Sequence, residues 1–458
     1  MGRAKYLELL APAGSWEAMT AAVYAGADGV YLAGKSFGAR QYADNFDRRE
    51  LEEAVLFCHL HRVRLYVTVN TLVDDGEMEE LTDYLLFLDG IKVDGIIVQD
   101  LGVVALARKV VPRLPLHAST QMTLTNSKGV EFAQSLGIVR SVLARELSLQ
   151  EIAAAGEAGS EIETFIHGAL CICYSGQCLM SSMIGGRSGN RGRCAQPCRL
   201  PYDLVDRDGK KLLENSGAGQ YLLSPKDMNT LDILPRLIEA GVTSFKIEGR
   251  MKRPEYVAVV VDVYRRAMDA YVAGNFHVSE EDRQNIEQIF NRDFTTAYLE
   301  GRPGREMMSH RRPNNRGILV GRVAKIFNGQ GLAEIRAEKE LHLGDGLEFW
   351  VTTGGRVGSV IEDMTVHGEP VSVARPGDLV KIAIPRGVRC NDRVFRTLDS
   401  KLMAYAEHFY KDVQDRIPVA VTVTAEAGMV NLYVPSACFT GVSDMEELSV
   451  VTGRIVPP

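Results

Sequence analysis

From Tyr6 to Asn275 short apolar runs alternate with amphipathic stretches. Eight of the runs read as strands: YLELLAPAG, DGVYLAG, RLYVTVN, DGIIVQD, PLHASTQM, SVLAREL, EIETFIHGA and SFKIEGR. Between them lie helical stretches such as SWEAMTAAVYAG, RRELEEAVLFCHLH, MEELTDYLLFLDGI and LDILPRLIEAG. Gly26, Gly137, Gly159 and Gly241 fit as C-caps of such helices. Strands alternating with helices predict βα units and a parallel sheet. Eight units over roughly 270 residues predict an α/β fold of the (β/α)8, TIM-like kind. A doubly wound sheet needs fewer strands, and no GxGxxG follows the first one.

Past Phe290 the pattern changes. The barrel is expected over 1–290, with a Cys-rich insertion at 171–203, and a basic linker over 291–316 carries Arg302, Arg305, Arg311, Arg312 and Arg316. Short alternating strands with Gly-containing turns over 317–399 predict a small all-β barrel. A helix over 400–416 comes next. Residues 417–458 read as a β tail or the opening of a further domain.

The composition, 46% hydrophobic and 24% charged, is that of a globular chain, and its length calls for two or three domains. No run of eighteen or more apolar residues occurs, so no membrane span is expected. No secretory signal opens the chain, which implies the cytoplasm and reduced thiols. A net charge of −7 argues against indiscriminate nucleic-acid binding but leaves room for a local basic surface.

The cysteines change the picture most. Of eight in the chain, Cys171, Cys178, Cys194 and Cys198 fall in CICYSGQCLMSSMIGGRSGNRGRCAQPC. Buried core thiols are the bland alternative, since cysteine is among the most buried residue types. Grouped thiolates are what a tetrahedral metal or an iron–sulfur cluster requires. The gaps of six, fifteen and three residues suit a zinc ribbon poorly, because structural zinc prefers tight CxxC knuckles. The intervening glycines and Arg187, Arg191 and Arg193 suit a 4Fe-4S cluster better, through backbone N–H groups and positive charge near sulfur. Cys173 is left outside the ligand set.

In a barrel the C-terminal strand ends form the active face. Glu8, Asn70, Gln99, Asp100, Gln121, Arg145, Glu146, His167, Lys246, Glu248 and Arg250 are placed there, about half of them as caps or layer-closing groups. The cysteines follow strand seven directly, which sets a metal over the barrel mouth.

The segment ETFIHGALCICYSGQCLMSS resembles the signature of the collagenase-like U32 "peptidases". The runs ELLAPAGSWEAMTAAVYAGADGVYLAG, HASTQM, LARELSLQEI, SPKDM and KIEGRMKRPEYV resemble its members in the same order, from residue 6 to about 399. The resemblance implies a (β/α)8 barrel followed by a β-barrel domain. Proteolysis has little support in the residues: HExxH and GxSxG are absent, and a cysteine protease would rest on His167 near Cys171. RNA-hydroxylating relatives and their ubiquinone-pathway cousins imply a 4Fe-4S cluster on Cys171, Cys178, Cys194 and Cys198, with prephenate as co-substrate.

On that reading Arg145, Arg250 and Lys246 clamp the carboxylates of a small dicarboxylate, and Glu146, Glu248 or His167 moves protons. RNA lies across the mouth on Arg187, Arg191, Arg193 and the linker arginines, with a base flipped toward the cluster. The words GGRSGNRGRCAQPCRLPY look like the ribosomal-RNA-type members and the length like the tRNA-type. A large-subunit rRNA cytidine is expected slightly ahead of the tRNA wobble uridine. A metal-dependent peptidase and a scaffold with a structural cluster are the alternatives.

Overall fold

The structure is a computed structural model. It describes residues 7–213, 219–309, 313–327, 329–351, 355–411 and 413, and three strands in the tail, Thr422–Glu426, Met429–Tyr433 and Val450–Arg454. Arg311, Arg312 and Cys438 lie outside the described residues, as does much of the expected 400–416 helix end and 417–458 tail.

The first seven strands are β1 (Glu8–Pro12), β2 (Gly29–Leu32), β3 (Arg64–Val69), β4 (Gly95–Val98), β5 (Leu116–Ala118), β6 (Arg140–Val142) and β7 (Glu161–Ala169). Each is parallel to the next. A short strand β8 (Asp227–Asn229) runs antiparallel to the far end of β7, and β9 (Ser244–Ile247) pairs in parallel with both β7 and β1. β9 thereby closes an eight-stranded parallel barrel made of the eight predicted runs. β10 (Phe294–Thr295) adds to β8 above the rim.

Helices alternate with the strands: α1 (Trp16–Tyr24), α2 (Arg48–Leu60), α3 (Met78–Gly90), α4 (Leu101–Val110), α5 (Ser127–Ser135) and α6 (Leu149–Gly156). After α7 (Met180–Gly185), in the insertion, come α8 (Leu234–Glu239), α9 (Pro254–Val272) and α10 (Glu280–Ile289). Their starts are set by local side chains. Asp47 with Glu50 and Ser148 with Glu151 form reciprocal capping boxes that satisfy first-turn N–H groups. The four C-cap glycines all have positive φ, as predicted. Leu9, Val30, Leu65, Val67, Ile96 and Val98 are buried between the barrel wall and this helical ring.

Within the stretch expected to be a basic linker, several described residues pack into the barrel. Ala297, Leu299 and Met307 are buried in the barrel core, and the Arg292 guanidinium, itself buried, sits 2.5 Å from the Asp227 carboxylate. The apolar positions are too sparse for a period to show, so basic side chains dominate the sequence pattern. Of the arginines there, Arg305 is exposed and Arg316 pairs with Asp293 at 2.6 Å.

Between Ile318 and Leu398 the strands are antiparallel and enclose a second core of Val320, Ile335, Phe349, Val380 and Val394. Their eight-stranded sheet ends at Arg356–Val360 on one side and Glu369–Pro370 on the other. No ladder among the described residues joins those ends. α11 (Ser400–Glu407) returns to α9 and buries Leu402 and Ala406 in the barrel core. No helix among the described residues is long and apolar enough to cross a membrane.

Candidate active site at the barrel mouth

The insertion after β7 is seated on the segments that follow β2, β3 and β5. Thr123 Oγ1 donates to the Ser175 carbonyl (2.7 Å), Leu72 N to the Asn190 carbonyl (3.0 Å) and Gln41 N to the Gly192 carbonyl (3.1 Å). Arg191 forks onto both oxygens of Glu77 at 2.6 and 2.7 Å and also reaches the Leu72 carbonyl. At Gly176 the chain passes so near Gln121 that a Cβ would stand 2.1 Å from its carbonyl oxygen, and φ is +75°. Only glycine fits there.

This seat brings Cys171, Cys178, Cys194 and Cys198 to the wall of one cavity of about 160 Å³ over the strand ends. All are free thiols. Burial pushes the Cys198 thiol up to about 11; Arg199 opposes this, while Cys171, Cys194 and Cys178 add to it. Arg199 is held by the Leu170 carbonyl (2.8 Å) and Ser224 Oγ (2.7 Å), and so stands as a fixed cation behind the loop. Among the described residues no three His, Cys, Asp or Glu side chains are gathered closely enough to hold a single metal ion. Cys173 lines the same cavity.

The same cavity is also lined by cations. Arg145 Nη2 lies 3.2 Å from Glu248 Oε2, Arg40 Nη2 lies 3.7 Å from Glu248 Oε1, and the Arg145 guanidinium covers the Phe165 ring at 3.7 Å. Burial pushes the Glu248 carboxyl up, but Arg40, Arg145 and Arg250 outweigh it and hold the group below its ordinary value. Arg250 donates to the Ala39 carbonyl and, at 3.4 Å, to Thr68 Oγ1; burial pulls its pKa down to about 10. Lys246 lines the same cavity. Glu146 Oε1 accepts from Ser175 N and Oγ, both at 3.2 Å, and burial raises its carboxyl. Arg145 Nε and Glu146 Oε2 are buried without a hydrogen-bond partner among the described residues, which leaves polar capacity for a ligand.

Of the expected site residues, Arg145, Glu146, Lys246, Glu248, Arg250 and the four cysteines therefore meet at one cavity. His167 does not. It is 1% exposed, its ring packs among Tyr256, Tyr264 and Phe294, and burial lowers its pKa to about 4. Glu8 begins β1 and so lies at the opposite end of the barrel, and Asp100 caps α4 by accepting from Gly102 N at 2.7 Å. Arg191 is committed to Glu77 and offers little to a phosphate. Arg40 is the residue that sequence reasoning missed: it sits in the loop after β2 with φ +69°, where no motif marks it. Glu248 raises its pKa, with Cys171 and Cys194 contributing.

Residues 14–309 match the model of peptidase family U32. The chain belongs to that family. It is 41% identical to the tRNA hydroxylation protein P1 of Bacillus subtilis, over 75% of this chain and 83% of that one. It is 38% identical to the 23S rRNA 5-hydroxycytidine C2501 synthase of Escherichia coli, over 75% of this chain and 52% of that protein. A protein named collagenase from Porphyromonas gingivalis is 33% identical, over 85% of this chain and 97% of its own length. The U32 name thus covers relatives named for RNA hydroxylation and for proteolysis, and the choice between them falls to the geometry of the mouth.

Proposed function

We propose that this U32 protein is an RNA hydroxylase whose reaction takes place at the barrel mouth. The observation that carries the reading is the pairing, in one cavity, of four cysteines with an arginine-rich wall. A cysteine peptidase needs a thiolate beside a histidine, and no histidine lines the cavity among the described residues. The relatives named for tRNA and rRNA hydroxylation support the same choice. Higher identity and the larger share of that relative put a tRNA base, the wobble uridine, ahead of an rRNA cytidine, reversing the order that the loop words suggest.

The cofactor proposed is a 4Fe-4S cluster on Cys171, Cys178, Cys194 and Cys198. Thiols spread round a cavity are compatible with a group whose ligand positions are at its corners; the single-ion zinc reading gains nothing from them. When bound, the cluster supplies redox chemistry at the mouth. Arg145, Arg250 and Lys246, joined by Arg40, bind the carboxylates of a small dicarboxylate, for which prephenate is proposed. The carboxyl of Glu146, raised by burial and with Oε2 unpartnered, is the group proposed to move protons at the cavity. Arg187 and Arg193, both exposed, meet the phosphates.

Deleting the gene should remove one hydroxylated nucleoside from digested tRNA, read by mass spectrometry as the loss of one oxygen. Loss confined to large-subunit rRNA would move the substrate, and an unchanged profile in both would overturn the reading. Alanine at any of the four cysteines should abolish iron in anaerobically purified protein, whereas Cys58→Ala, in a buried core thiol, should keep it. Equal iron loss from both would end the cluster assignment.

A further inference from the structure

The inside of such a barrel is normally filled by layers of branched apolar side chains. Here the apolar cluster inside is Leu10, Tyr31, Tyr66 and Ile97, and charge fills the space beside it. Glu8 Oε2 accepts from Arg64 Nη1 at 3.1 Å and from the Tyr66 hydroxyl at 2.9 Å. Arg140 joins Glu8 to Glu163, the second contact at 3.3 Å, and Ser244 Oγ donates to Glu8 (3.0 Å) and Glu163 (3.2 Å). The other oxygen of Glu163 lies 2.7 Å from Lys246 Nζ. The sequence of charges thus begins with Arg64, 45% exposed at the strand starts, and ends with Lys246 at the cavity.

Replacing buried ion pairs with well-packed apolar groups is often neutral or stabilising, so charge at this depth asks for a role beyond stability. Arg140 already has Glu8 and, at 2.9 Å, Glu161; the pairing of Glu163 Oε1 serves Lys246. We propose that Glu163 is a positioning residue that fixes Lys246 at the cavity and favours its charge, so that a ligand carboxylate meets a cation there. The inference rests on the dicarboxylate reading of the mouth and names the residue that sets its strength.

The groups facing Lys246 are few. Glu163 on β7 and Glu248 beyond its own strand favour its charge, while Arg140 on β6 opposes it. The Tyr31 ring of β2 lies 4.3 Å from Nζ. His117 on β5, which burial keeps neutral, has its own charge opposed further by Arg140 and Lys246. Tyr66 on β3 and Glu8 on β1 complete the surroundings through Arg140. Burial is the largest influence and holds the ammonium below its ordinary value, with Glu163 as the near counter-charge that limits the fall. Without Glu163, Lys246 loses its proton at lower pH, and carboxylate binding is lost with it as pH rises.

The test uses the whole protein labelled with ¹³C at lysine Cε, with the Lys246 signal assigned by its absence in Lys246→Met. Glu163→Gln should lower the Lys246 titration midpoint by about one pH unit or more, and Glu163→Asp should restore most of it. Calorimetry with prephenate should then show binding unchanged well below both midpoints. Between them binding should weaken in Glu163→Gln, roughly tenfold for each pH unit that separates the two midpoints. In Lys246→Met this pH dependence should vanish, which guards against misfolding of the Glu163 variant. An unmoved midpoint overturns the positioning role, and a moved midpoint with an unmoved binding profile overturns the ligand contact. If the wild-type protein binds no prephenate at any pH, the dicarboxylate reading fails, and the resonance still decides whether Glu163 holds the charge of Lys246.

Discussion

Between Phe165 and His167 the register of β7 against β9 shifts, and that irregularity sets which side of the barrel wall the histidine occupies. Glu163 and Phe165 face the barrel interior, as alternate residues of a strand do. Simple alternation would put His167 there too. The bulge re-aims it into the aromatic layer under α9, where Tyr264 Oη lies 3.4 Å from Nδ1. A bulge leaves no mark in residue types, so the position of His167 was not legible, whereas Arg145, Glu248 and Arg250 follow from strand ends alone. The expected consequence is a loss of stability in acid. The imidazole pKa is depressed in the folded state to about 4, so the unfolded chain binds the proton more readily. Stability should therefore fall as pH drops from about 6.5 to 4, by about 3 kcal/mol from this group. His117, also depressed by burial, adds to the same slope. In His167→Gln the urea midpoint should depend less steeply on pH through that window. An unchanged slope would mean that the ring is not kept neutral.

At the scale of elements, strands and helices with long periods were readable, and pieces held by tertiary contact were not. The eight barrel strands come directly from the apolar runs. β8 and β10, three and two residues long, carry no period; β8 exists because the end of β7 offers it a partner, and β10 because β8 does. The cysteine loop belongs to the second kind: its shape depends on Gly176 lying against Gln121. Gly176→Ala should cost at least ~1–2 kcal/mol for the left-handed backbone, with the contact on the Gln121 carbonyl added. The damage should stay local, since the barrel core does not use this residue. We expect normal far-ultraviolet dichroism, faster proteolysis within 171–203, and lower iron per chain after anaerobic reconstitution. Full iron loading in that variant would show that the seat does not place the cysteines.

For the whole molecule, a chain of net charge −7 must hold a polyanion through a few local cations. The structure narrows them. Arg191 is tied to Glu77 and Arg199 faces inward onto Leu170 and Ser224, while Arg187 stacks over the exposed Tyr42 ring at 4.6 Å and Arg193 is exposed. An arginine over an exposed aromatic ring at the rim presents both a phosphate contact and a stacking surface to an unpaired base. Single-stranded RNA binding loses affinity with salt at a slope of about −0.7 per phosphate neutralised. Arg187→Ala and Arg193→Ala should each lower the slope by about that amount, and together by about twice it. Arg108→Ala, in the last turn of α4 where it donates to the Pro112 and Gly137 carbonyls ahead of β5 and β6, should leave it unchanged. Filter binding of an unmodified tRNA anticodon stem-loop across a salt series reads all of these proteins. Equal slopes in the double variant and the wild type would place the RNA on another face of the barrel.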